Sequence, residues 1–535
     1  MNKAVKWLTA ASLSTLLLSP VAEAASVSSY GSNSHVKVSQ LARYDSQAKF
    51  GESGTEIVAY NKKFKRAYSV NGEANALDIL DLSHLKSGKF PLYKRVLLKD
   101  LKAEGSDITS VAVHPKHRYI AVTVPAANKT DNGHVVFMSM EGEFLSQVEV
   151  GALPDMLTFT TDGRQLVVAN EGEPNDDYTV NPEGSVSIIK TNKTGLIKQK
   201  HADTRYFNRQ MVPKNIRALG RTSEESFLNI EPEYVTIDSK NEYAYVSIQE
   251  RNAIAKVDLQ SKAIVSVKGL GYKSYHHKAA MDASDKDKKI NLKNYPVYGM
   301  LQPDGISHVD YKGKTYLLTA NEGDTQDYKG FSEETRVGDI AAQYNTSSAY
   351  FKGFKSSILK DKNALGRLKT SINNPLTGKD GLYNAVVTFG GRSFSVFEAA
   401  SMKRVYDSRD DFETITANAW PDAFNSSQEE PGQIEFDSRS DDKGPEPESV
   451  TVGKIDGHQY AFIGLERTNG IIVYNIDNPT KPKFEAYFKA ADNGDVSPEG
   501  LTFIPKEDSP VHRPLLLASH EMSGTIAAYE LSYIK

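Results

Sequence analysis

Acidic residues recur in pairs along this chain, each pair bracketing one apolar hairpin. Glu56 pairs with Glu73, Asp155 with Glu171, Glu233 with Glu250, Asp304 with Glu322, Glu448 with Glu466 and Glu499 with Glu521. In five of the pairs the first acid follows a proline. The second closes the next alternating run, as in Val167-Val168-Ala169-Asn170-Glu171. Carboxylates gathered at one place repel one another, so they must take up protons or be compensated by cations. With no cysteine in the chain, thiolate ligands and thiol catalysis are excluded, and a metal would be held by oxygen or imidazole. A purely oxygen donor set favours calcium, with another divalent ion as the alternative. The plainer reading is that Pro-acid steps start turns and the glutamates are solvated strand ends. Recurrence in phase favours the metal reading over it.

Basic residues beside these motifs could act in a second step. Arg392 lies in Gly390-Gly391-Arg392-Ser393. Arg439 and Lys443 precede Pro447-Glu448, and Arg467 follows Glu466. They are expected either to pair with the carboxylates or to hold the oxygens of a phosphoryl group beside a bound metal. Arg392, Arg439 and Lys443 are thus the catalytic candidates. No nucleophile stands out, since the chain has neither a Gly-x-Ser-x-Gly elbow nor a phosphate-binding glycine loop. His276-His277 and His520 are weaker ligand candidates. The acidic run Asp282 to Asp287 lacks the glycine and terminal glutamate of an EF-hand loop.

The elements that position these residues follow from the repeat. Each unit reads as a strand, a turn, a second strand and a third after glycine or asparagine, with a fourth in several copies. Seven such units predict an all-β, seven-bladed propeller. The last unit lacks a fourth strand, while Val36 to Tyr44 belongs to none, so the N-terminal strand is expected to complete blade seven and close the ring. Asp162-Gly163 and Asp456-Gly457 suit two-residue hairpin turns. Because the first two strands of a blade are antiparallel, the start of one lies beside the end of the next. Both acids of a unit therefore fall on one face, at a mouth of the central channel, where Glu233, Asp304, Glu448 and Glu499 are expected to converge on a common cation. The second unit carries Thr109 and Pro125 at its acidic positions and predicts a gap in the ring. Inserted loops at about 190–229, 272–301, 323–390 and 404–445 should emerge on the same face.

Residues 1–24 read as an export signal, with Lys3 and Lys6, an apolar run from Trp7 to Leu18 and the small-x-small site Ala22-Glu23-Ala24. The propeller is then expected over 25–535, secreted to an extracellular or periplasmic location. No later run is long enough to span a membrane. A formal net charge of −4 argues against nucleic acid as a partner. A monomer is expected, with metal ions and a phosphorylated small molecule or a cell-surface ligand as partners.

Several of these motifs resemble those of the choice-of-anchor I family of secreted bacterial proteins, which is itself similar to mesenchyme-specific cell-surface glycoprotein domains. They include Val168-Ala169-Asn170-Glu171-Gly172-Glu173-Pro174, Glu231-Pro232-Glu233-Tyr234, Thr319-Ala320-Asn321-Glu322-Gly323-Asp324, Gly444-Pro445-Glu446-Pro447-Glu448 and Ser497-Pro498-Glu499-Gly500-Leu501. The resemblance implies a secreted protein, and the acidic ring, the inserted loops and the missing nucleophile make the expectation a calcium-binding propeller acting as an extracellular binding module. Relatives labelled alkaline phosphatase make a metal-dependent phosphoesterase the alternative it implies.

Overall fold

The computed structural model describes residues 27–31, 34–101, 105–213, 216–492 and 494–534. The export signal lies outside the described residues. Strands pair into seven antiparallel sheets of the blade type. Blade 1 is Val58–Asn61, Arg66–Asn71, Ala76–Asp81 and Leu92–Leu97, and blade 2 runs from Ser110–Val113 to Phe144–Ala152. Blades 3 and 4 begin at Pro154–Phe159 and Pro232–Ile237, blade 5 at Ile306–Tyr311, blade 6 at Pro447–Ile455 and blade 7 at Pro498–Ile504. As expected, the N-terminal strand Val36–Asp45 pairs with Thr525–Tyr533 and supplies the fourth strand of blade 7. One strand was not anticipated. Val27–Tyr30 adds to Lys483–Ala490, giving blade 6 a fifth strand.

The core is divided among the seams between blades. Blades 1 and 2 share Ile79, Val96, Ile120 and Val136, and blades 3 and 4 share Val167, Ile188, Val246 and Val257. Blades 7 and 1 share Leu517, Ile526, Ala67 and Leu80, so the seam between the last blade and the first is packed like the others. Apart from Ala67 these residues are branched aliphatics on strands buried on both faces, which is why the sequence reads as propeller strands rather than helices. Asp456-Gly457 forms the two-residue turn, both residues having positive φ (45° and 95°) between the partners Ile455 and His458. Asp162-Gly163 instead lies in a longer loop, because the last ladder pair there is Phe159 with Leu166.

The insertion boundaries shift. The stretch 190–229 contains the outer strand of blade 3, Ala202–Tyr206, and 404–445 starts inside the outer strand of blade 5, Lys403–Asp407. The stretches 272–301 and 323–390 form one body. Tyr272–Ser274 pairs with Val297–Met300, which pairs in parallel with Val386–Thr388, and Tyr275, Met281, Tyr295, Val337, Tyr344 and Leu365 share a core. Among the described residues no helix is long and apolar enough to cross a membrane.

Close approach of the backbone is required at Gly184. A Cβ there would press into the backbone carbonyl of Ile230 and lie 2.7 Å from the Glu171 carbonyl and the Pro232 ring. Gly184→Ala is therefore expected to cost roughly 1–3 kcal/mol, as overpacking does. Urea unfolding checks this, and a loss below about 0.5 kcal/mol would contradict the packing at this seam.

Candidate functional site

A repeated backbone device brings the acids together. In blades 3, 4, 6 and 7 the proline that opens the first strand pairs with the end of the second: Pro154 with Asn170, Pro232 with Ile248, Pro447 with Leu465 and Pro498 with His520. Immediately after it the register slips by one residue, so that Asp155, Glu233, Glu448 and Glu499 each sit in a β-bulge. A bulge turns a side chain away from the regular alternation. The residue before the proline is left-handed at Leu153 (φ 45°), Glu446 (φ 51°) and Ser497 (φ 66°). Its carbonyl accepts the amide N–H of the second acid of the unit, at 2.9 Å from Glu171, 2.8 Å from Glu466 and 2.8 Å from Glu521. Three copies of the same strained conformation thus hold the second carboxylate beside the first.

The result is a cavity of about 480 Å³. Glu56, Asp155, Glu171, Glu233, Asp304, Glu322, Glu448, Glu466, Glu499 and Glu521 all line it, as the repeat predicts. Two expected members do not. Glu73 is exposed and accepts a hydrogen bond from the Lys49 amide at 3.3 Å, because the residues after Asn71 turn outward before the third strand. Glu250 is buried behind the wall, and its neighbour Gln249 faces the cavity instead. Asp107 and Asp324 complete the lining. Asp107 comes from the loop before blade 2 and fills the gap expected beside Thr109, a placement that no sequence signal announces. Asp324 had a signal, since Glu322-Gly323-Asp324 repeats the pattern of Glu171-Gly172-Glu173.

Burial and crowding keep several of these groups protonated more readily than free carboxyls. Burial, then Asp107 and Glu521, pushes Glu56 up to about 8. Burial and Glu322 push Asp304 to about 8, and burial and Glu173 push Asp155 to about 7. Glu448 is raised well above the usual range by burial and then by Glu322, Asp304, Glu466 and Glu499. Glu171, Glu233 and Glu499 are raised likewise, burial leading in each. Several buried oxygens have no hydrogen-bond partner, among them Oε2 of Glu233 and Glu499 in the lining and of Glu231 and Glu250 behind it.

Oxygens of Glu322, Glu448 and Glu466 all lie within 4.8 Å of one another. Oxygens around a calcium ion sit about 2.3–2.6 Å from it, so such a trio can share one ion. This replaces the expected convergence of Glu233, Asp304, Glu448 and Glu499 on one point. Those four line the cavity, but only Glu448 belongs to the close trio found among the described residues.

The cations are spent mostly elsewhere. Arg392 is wholly buried, bonded to Glu413 at 2.9 Å and to the carbonyls of Asp282, Ser440 and Asp442, and does not line the cavity. Arg439 pairs with Glu446 at 2.6 Å and Asp442 at 2.8 Å. Lys443 donates to Glu322 at 2.6 Å, and Arg467, on the cavity wall, pairs with Glu466 at 3.1 Å. Burial alone would raise the Glu446 carboxyl, but Lys443, Arg439 and Arg467 together hold it down to about 2. The weaker ligand candidates stand outside the cavity lining. His276 and His277 face each other beside Phe354, His520 is buried against Asp495, and Asp285 is tied to Arg367 at 2.7 Å.

Fold and site together define a seven-bladed β-propeller with a cavity lined by carboxylates. The chain belongs to the choice-of-anchor I family, whose domain model matches residues 56–479. It is 31% identical over 184 residues to gigasin-3a of Magallana gigas, covering 31% of this chain and 64% of that protein. To the mesenchyme-specific cell surface glycoprotein of Strongylocentrotus purpuratus it is 28% identical over 286 residues, covering 49% of this chain and 37% of that one. The chain thus spans less than two thirds of the length of these curated relatives. Among solved structures it is similar to a streptogramin B lyase (TM-score 0.44, 10% identity, 93% of this chain and 98% of that one). It is also similar to the Cps50 (Swd1) β-propeller domain of Myceliophteria thermophila (TM-score 0.45, 8% identity, 92% and 99%).

Proposed function

We propose that this protein is an extracellular binding module whose channel mouth takes up calcium and, with the joined insertions, presents a ligand-contact face. The observation that carries the proposal is the trio Glu322, Glu448 and Glu466, set in a wall of carboxylates with unpartnered oxygens. A partly dehydrated cavity in which carboxylates far outnumber the donors has no favourable state with all its groups ionised unless a cation enters it. Calcium suits it because the donors are oxygens of several strands, and calcium accepts irregular sets of 6–8 oxygens. The extracellular setting is supported by the cell-surface name of the sea-urchin relative. The phosphoesterase reading draws less support, since Arg392 and Arg439 are bonded to groups outside the cavity.

The decisive variant is Glu448→Gln, because Glu448 has no cationic partner among the described ion pairs and is surrounded by Glu322, Asp304, Glu466 and Glu499. Two opposite effects are expected. Calcium affinity, read by titration calorimetry, falls roughly ten- to hundredfold, the scale of one charge-assisted contact. The melting temperature in chelator rises, because one repelling carboxylate has gone. Unchanged affinity would place any calcium elsewhere, and a lower melting temperature in chelator would mean that Glu448 is not under repulsion.

A further inference from the structure

Lys443 stands between two acceptors. Its ammonium donates to Glu322 Oε1 at 2.6 Å, while Glu446 Oε2 lies 3.3 Å away, is buried and accepts no hydrogen bond. Glu446 lies outside the cavity lining, completely buried, and draws Arg439 and Arg467 as well as Lys443. Glu322 belongs to the close carboxylate trio, and its other oxygen accepts from Gln249 at 2.8 Å. A lysine ammonium and a divalent ion cannot both sit closely on one carboxylate without strong repulsion, because their like charges would be only a few ångströms apart in a poorly screened place. The move that relieves it is short. Closing 3.3 Å to an ordinary hydrogen bond of about 2.9 Å would seat Lys443 on the unsatisfied oxygen of Glu446.

We infer that Lys443 is a tethered competitor for the divalent cation at Glu322, Glu448 and Glu466, and that Glu446 is the seat to which it is displaced. The inference rests on the calcium reading of the channel mouth and adds its regulation. Lys443 sets the calcium level at which the site fills, and filling shifts the segment 437–446, which Arg392 ties to blade 5 through the carbonyls of Ser440 and Asp442. Cation entry is thereby coupled to the insertion face.

Calcium titration of the full mature chain and its variants tests this, with folding checked by thermal melting. Lys443→Met removes the competitor and is expected to tighten calcium binding roughly tenfold or more. Glu446→Gln removes the seat, leaves Lys443 on Glu322 and is expected to weaken it. The double variant should bind like Lys443→Met, because the seat is idle once the lysine is gone. A merely structural role would weaken binding in both single variants. Should Lys443→Met fail to fold, Lys443→Gln carries the same expectation. If the parent chain binds calcium and the Lys443 variants bind it equally or less well, the competitor is refuted and the calcium site stands. If neither the parent nor the Lys443 variants bind calcium, both fall.

Discussion

Transferred from calcium to chelator at pH 8, the protein is expected to lose several degrees of melting temperature, and at pH 5 to lose much less. The sign follows from the shifted carboxyls. Glu56, Asp304 and Glu466 rise from ordinary values of 4.5, 3.8 and 4.5 to about 8, burial leading in each. Between the ordinary and the raised value the folded chain holds more protons than the unfolded one. Without a divalent ion the contribution of these three groups to stability is therefore full below about pH 4 and is lost as pH rises through about 8. Bound calcium substitutes for those protons, and its affinity grows as they leave. At a hundredfold excess over its dissociation constant it adds about 2.7 kcal/mol. The calcium-dependent gain should thus widen steadily from pH 5 to pH 8. Melting curves at four pH values, with calcium and with chelator, measure it. An equal gain at pH 5 and pH 8 would show that these carboxylates are not the groups calcium meets.

Arg392→Met is expected to destabilise the fold by about 3–5 kcal/mol, the cost of leaving one partner of a buried ion pair behind. Arg392 has a left-handed backbone (φ 49°), is 1% exposed, and joins blade 5 to the Asp282 carbonyl, to Glu413 and to the carbonyls of Ser440 and Asp442. Its removal strands Glu413, whose Oε2 already lacks a hydrogen bond. Gly444 packs on the arginine so closely that a Cβ would lie 2.9 Å from its side chain, so the segment carrying Lys443 depends on it. Lysine cannot replace it, since one ammonium cannot reach carbonyls on several segments. Urea unfolding of Arg392→Met and Arg392→Lys measures the effect. A loss under about 1 kcal/mol in both would show that this guanidinium does not hold the insertions.

Arg392 also marks the boundary of what could be read from the chain. Its glycine-flanked motif beside an acidic repeat suggested a partner for the ring carboxylates or an anion ligand, and folding made it a buried strut bonded to Glu413 and three carbonyls. The difference lies in the insertions, whose segments near 282, 413 and 440 meet it only after distant parts of the chain have packed. Glu73 failed for a similar reason. The acid at the right spacing lies where the chain turns outward, and Asp107, with no spacing signal, points inward from a loop.

The amino-acid sequence by itself determined the propeller and the face on which its acids gather. Both follow from short-range rules, because alternation sets each strand, and antiparallel pairing puts Asp155 beside Glu171 and Glu448 beside Glu466 within a hairpin. Only the tertiary structure decided which carboxylates come close enough to share an ion, and which cation stands in the way. Glu322 belongs to blade 5, Glu448 and Glu466 to blade 6, and Lys443 reaches Glu322 across 121 residues of chain. Those distances depend on how whole blades and loops pack against one another, and no local spacing encodes them.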